Sequence, residues 1–140
     1  DSFSRVFASK VGAYHALREA LDINRLDFLV AFSSISGLFG NAGQTNYASA
    51  NTALEFLISQ HDNTFCLVTP MILDTSIAFG DPSKGNARNT KVQHIAAWGV
   101  SCRDVCGYIA DGLRQLKTKP FTLYVPEMDW RTVQDCLGTS

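Results

Sequence analysis

The sequence has almost no charge imbalance: across 140 residues, 12 Lys and Arg stand against 13 Asp and Glu, a net charge of −1. A nucleic-acid-binding chain carries a basic surplus or stripe, and neither is present, so nucleic acid is excluded as a partner. No apolar run approaches the ~18–20 residues that span a bilayer, which excludes a membrane helix. Charged residues are scarce, at 18%, while aromatics reach 11%, a balance that disordered chains do not show. The glycine-rich G-x-G-x-x-G turn that presents backbone N–H groups to a dinucleotide is also missing. Asp1 to Phe7 do not have a signal-peptide layout, and the first residue is not Met, so a processed, excised or truncated piece is expected.

Cysteine is sparse as well. The four positions, Cys66, Cys102, Cys106 and Cys136, are irregularly spaced and include no C-x-x-C pair. His15, His61 and His94 are not placed to complete a zinc site, so no metal is expected. Reduced thiols and a cytoplasmic setting follow.

What is there alternates between helix and strand. Phe3, Val6, Phe7, Val11, Tyr14, Leu17 and Leu21 repeat at helical spacing, predicting a helix over 3–21. Residues 27–32 form a continuous apolar run, as a central parallel strand does. Residues 35–46, with Gly37, Gly40 and Gly43, read as a loop. A helix is predicted over 44–60, and a buried strand over 65–73 with Pro70 near its middle, where pairing should bend or stop. Residues 74–89 form a long irregular stretch. A third helix lies within 99–117, a strand over 121–125, and a short helix or turn over 129–137. Strand–helix alternation implies a parallel α/β sheet. With only about three strands, and a first helix that no strand precedes, the pattern looks like the C-terminal half of a Rossmann-like doubly wound fold.

The residues that carry chemistry stand at the end of the first strand and the start of the following helix. In open α/β sheets, ligands bind beyond the carboxyl ends of strands. Ser34 occupies such an end, Tyr47 enters the next helix, and Asn51 lies one turn further on the same face. Lys10 lies on the helix before the strand. The words Lys10-Val11-Gly12-Ala13, Phe32-Ser33-Ser34-Ile35-Ser36-Gly37, Gly40-Asn41-Ala42-Gly43-Gln44-Thr45-Asn46-Tyr47 and Ala48-Ser49-Ala50-Asn51 resemble the ketoreductase domain of fungal and bacterial polyketide synthases, a branch of the short-chain dehydrogenase/reductase superfamily. Asp129-Trp130 resembles the end of that domain. The Lys-Val word is one residue shorter than the family's.

The resemblance implies a tetrad. The superfamily's Tyr-x-x-x-Lys becomes Tyr-x-x-x-Asn, with the lysine moved to the earlier helix, which here gives Lys10, Ser34, Tyr47 and Asn51. Ketone reduction builds negative charge on oxygen, which calls for a proton donor and hydrogen-bond donors. In the implied roles Tyr47 donates the proton, Ser34 bonds the carbonyl oxygen, and Asn51 holds a water or backbone group that relays protons. A free tyrosine has a pKa of ~10, and a nearby ammonium favours the phenolate; Lys10 is the ammonium so placed. Phe39, Gln44, Ile77 and Phe79 are the implied substrate-contacting residues. A Trp at the place of Phe39 marks one stereochemical class, which Phe does not select.

The same resemblance implies that residues 1–140 form a truncated ketoreductase-like domain lacking the N-terminal dinucleotide-binding half, with no cofactor-binding residue assignable. Three functions stay open. The chain is the catalytic portion of a polyketide ketoreductase, reducing a β-ketoacyl thioester on acyl carrier protein with NADPH once joined to its other half. Or it works without cofactor, cyclising or isomerising a polyketide intermediate. Or it is a non-catalytic remnant that docks on the rest of a synthase or forms a homodimer.

Overall fold

The computed structural model describes residues 2–40, 43–75 and 99–138. Three strands, β1 (Leu29–Ser34), β2 (Thr64–Thr69) and β3 (Leu123–Tyr124), form one sheet in the order β1-β2-β3, and both pairings are parallel. Among the described residues β1 has one neighbour. It is in register with β2 from Leu29 opposite Thr64 to Ser34 opposite Thr69.

Helices cover both faces. On one side lie α1 (Ser2–Phe7), a π-helical turn (Ala8–Gly12), α2 (Ala13–Ala20), α3 (Ile35–Phe39) and α4 (Thr45–Ile58). On the other lies α5 (Cys102–Leu116), and α6 (Trp130–Gly138) follows β3. Alternation along β2 explains the two-sided core. Cys66 packs with Tyr14, Ile23, Leu54 and Ile58, while Phe65 and Leu67 point the other way, onto Val105. Every residue of β2 is buried. The architecture is the partial Rossmann-like sheet that the strand–helix alternation predicts.

Several elements differ from expectation, each for a physical reason. The first helix is not one uninterrupted α-helix. Its π-turn rotates α1 relative to α2, so the apolar stripe read on a single wheel splits. Tyr14 is buried, whereas Phe3 is 47% exposed and stacks on Phe7. Pro70 lies after β2 rather than within it; the strand stops at Thr69, and a single parallel bridge, Ile72 to Val100, follows. Residues 35–39, read as loop from their glycines, form α3. Ser34 caps it by accepting the Ser36 N–H, and Gly40 ends it with φ of 75°. The middle of the long irregular stretch, from residue 76 onward, lies outside the described residues.

Tertiary polar contacts fix the lower end of the sheet. The Tyr14 hydroxyl and His61 Nε2 are 2.8 Å apart, and His61 Nδ1 stands 2.7 Å from Asn24 Oδ1. Asn63 Nδ2 donates to the carbonyls of Ile23 and Leu26. These bonds tie α2, the following turn and the end of α4 together before β2 begins. Among the described residues no helix is long and apolar enough to cross a membrane.

Candidate active site

The chain crosses from β1 into α3 at Ser34, the carboxyl end of the strand. The Ser34 oxygen accepts the Ser36 N–H at 3.2 Å. This cap fixes the side chain while leaving the hydroxyl hydrogen to donate elsewhere. Residues 41 and 42 are outside the described part, and Gln44 then opens α4.

Lys10 sits in the π-turn. Such turns are rare and recur at functional sites. Its ammonium donates to the Phe32 carbonyl at 2.7 Å, near the end of β1, and lies 5.9 Å from the centre of the Tyr47 ring. Thus Lys10 and Tyr47, distant in sequence, lie near one another in space. Asn51 follows Tyr47 by one turn of α4 and donates from Nδ2 to the Tyr47 carbonyl at 2.9 Å. It is wholly buried, and its Oδ1 has no hydrogen-bond partner among the described residues. A buried acceptor left unbonded costs about 1–3 kcal/mol, so such an atom calls for an explanation.

The substrate-contacting expectations divide. Phe39 ends α3, is 40% exposed, and packs edge-on against Trp130 with ring centres 6.0 Å apart. That contact joins the end of α3 to the start of α6. Gln44 is exposed at the start of α4. Ile77 and Phe79 lie outside the described residues.

Two polar residues that sequence reasoning passed over belong to the same place. Ser33 and Glu55 are both buried, and the Ser33 hydroxyl donates to Glu55 Oε1. Glu55 continues the Tyr47–Asn51 face by one more turn. A carboxylate inside an otherwise apolar helix stripe is the signal that could have revealed it. Burial pushes the neighbouring Cys66 thiol up to about 12, the Glu55 charge adding to the effect and Lys10 opposing it.

A cavity of about 270 Å³ opens beside Lys10, lined by Tyr14, Leu29, Ala31 and Phe32 among others. A second, of about 460 Å³, lies at Arg18 to Asn24 and His61, away from Ser34 and Tyr47. No group of three metal-ligating side chains occurs among the described residues.

Comparison with known proteins is consistent with this geometry. The KR domain family matches residues 1–71. A highly reducing polyketide synthase, stpks1 of Strobilurus tenacellus, is 35% identical over 144 aligned positions that cover 100% of the chain. Fusarin C synthetase of Gibberella fujikuroi is 26% identical over 91% of the chain. Mellein synthase of Phaeosphaeria nodorum is 43% identical over 45% of the chain. The chain spans only 5%, 3% and 4% of these relatives' own lengths. No solved structure shows significant similarity to it.

Proposed function

The chain belongs to the KR domain family of polyketide synthases, and from that premise we propose that it is the catalytic portion of a ketoreductase that reduces a β-ketoacyl thioester on acyl carrier protein. The observation that carries this reading is the position of Lys10, bonded to the Phe32 carbonyl with its ammonium over the Tyr47 ring. A fixed positive charge beside the ring can stabilise the negative charge that develops on the substrate oxygen during reduction. Ser34, at the end of β1, supplies a second donor to the same oxygen. The unbonded Oδ1 of Asn51 supports its role as the anchor of a proton relay.

The hydride donor implied by the family is NADPH. The described residues do not fit its pyrophosphate. The strand-to-helix turn after β1 is closed by Ser34 upon the Ser36 N–H, and Gly37 lies inside α3 rather than in a phosphate-binding turn. The dinucleotide is therefore assigned to an N-terminal half of the domain, with a cytoplasmic synthase as the setting.

The test pairs the chain with the N-terminal half of a homologous ketoreductase domain and follows NADPH oxidation with a β-ketoacyl pantetheine thioester. Turnover is expected, falling at least about a hundredfold in Tyr47→Phe, the scale of a lost general acid. Equal turnover by the variant, or none by the paired protein, overturns the proposal.

A further inference from the structure

We infer that Glu55 is a positioning residue of this site, clamping α4, which carries Tyr47 and Asn51, to the end of β1 through Ser33. Ser33 immediately precedes Ser34 on β1, and Glu55 lies two turns after Tyr47 on α4. One hydrogen bond between them therefore fixes the axial position of the helix that carries the proton donor against the strand that carries its partner. Both groups are buried, with Ser33 3% and Glu55 8% exposed, so water competes little for the bond.

Gly37 supplies an independent sign. A Cβ built there would stand 3.2 Å from Glu55 Oε1, 3.4 Å from Asn51 Cβ and 3.6 Å from Ser33 Oγ. Its φ is not positive, so the glycine is not required by backbone conformation. Space bears on it instead: α3 packs over the carboxylate, and a methyl group there would make that carboxylate give by a few tenths of an ångström. The glycine, serine and glutamate thus form one packed unit beneath Tyr47 and Asn51. Such placement matters because an error of ~1 Å between reacting groups can cost ~100-fold in rate.

The kinetic part of this inference rests on the reductase reading; the structural part does not. The 140-residue chain with ¹³C-labelled tyrosine rings reports the surroundings of Tyr47 by NMR, and Tyr108 and Tyr124, across the sheet, report folding. In Glu55→Ala and Ser33→Ala the Tyr47 ring signal should move or broaden while the other two hold. Glu55→Gln keeps an acceptor oxygen for Ser33 and should leave Tyr47 in place. In the paired reductase, Glu55→Ala should lower kcat at least about tenfold with KM changed less than about twofold, and Glu55→Gln should restore it. A Tyr47 signal that ignores Glu55→Ala, or that moves equally in Glu55→Gln, overturns the clamp. If Glu55→Ala fails to fold, Ser33→Ala carries the test: a shifted Tyr47 signal supports the clamp and an unshifted one overturns it. A responsive Tyr47 in a protein without reductase activity removes the reductase reading and leaves the clamp standing.

Discussion

The Lys10 ammonium donates to the Phe32 carbonyl at 2.7 Å, binding the π-turn of the first helix to the end of β1. The bond gives the lysine a fixed address. A side chain with four rotatable carbons would otherwise sample open space. Held there, its charge faces the Tyr47 ring.

Replacement of Lys10 by Met keeps the length of the stem and removes the charge. In the paired reductase, Lys10→Met should lower kcat about 10- to 100-fold, in line with the loss of an electrostatic aid to proton transfer. Thermal unfolding should show a loss of about 1 kcal/mol at most, because the bond to the Phe32 carbonyl that is removed is solvent-exposed. Calorimetry and steady-state kinetics on the same preparation check both halves.

Two glycines of α5 should respond in opposite directions to the same change. A Cβ at Gly112 would lie 2.5 Å from the ring of Phe65, which is fully buried. Gly112→Ala should therefore destabilise by about 1–3 kcal/mol through overpacking. At Gly107 nothing lies within 4 Å, so Gly107→Ala should stabilise by about 0.5–1 kcal/mol through helix propensity. Urea unfolding measures both.

Stability should fall on the alkaline side. Burial raises the Cys66 thiol to about 12, and burial, with the Asp111 carboxylate it bonds, raises the Tyr124 phenol to about 12. Both groups are neutral in the folded chain, and both lose protons earlier once unfolded, near ~8.5 and ~10. Their contribution is full below those values and is lost as pH rises toward the folded ones. Cys66→Ala should flatten the decline in urea midpoint above pH ~8.5. At neutral pH a thiol reagent should label Cys102 and Cys106, which are exposed, well before Cys66.

The acid side tests the start of α5. The Ser101 hydroxyl caps the Asp104 N–H, and Asp104 accepts from Ser101 N at 2.8 Å in a capping box. These bonds hold the Asp104 carboxyl below its ordinary range. The stabilisation is present above ~3.9 and is lost as pH falls through the depressed folded value. Ser101→Ala should cost about 1 kcal/mol at neutral pH, and the deficit should shrink in acid.

How far the sequence could be read depended on whether a residue's partners were near it in the chain. Phe65 to Val68 announced β2, because burial on both faces leaves an unbroken apolar run, and Leu29 to Phe32 announced β1 by the same kind of run although that strand is only partly buried. Tyr47 and Asn51 declared themselves by one-turn spacing, and the family words led to Lys10 and Ser34. β3 shrank to Leu123–Tyr124, since Pro126 limits its pairing. α3 escaped notice because Gly37 resembles a loop glycine, whereas its purpose is room for Glu55. The Ser33–Glu55 bond and the Phe39–Trp130 contact join distant segments, and nothing local to either partner encodes them.

The π-turn at Ala8–Gly12 has one more consequence. A helical residue turns the chain by about 100°. Deleting Val11 or Gly12 would relax the turn to regular α-helix, yet it would turn Lys10 and α1 around the axis relative to α2 and carry the Lys10 ammonium off the Phe32 carbonyl. A substitution in the same stretch alters one side chain and leaves that angle intact. The lysine's place is therefore protected against spelling changes and exposed to miscounting, so a frame-preserving loss of one codon there should harm the site more than most missense changes.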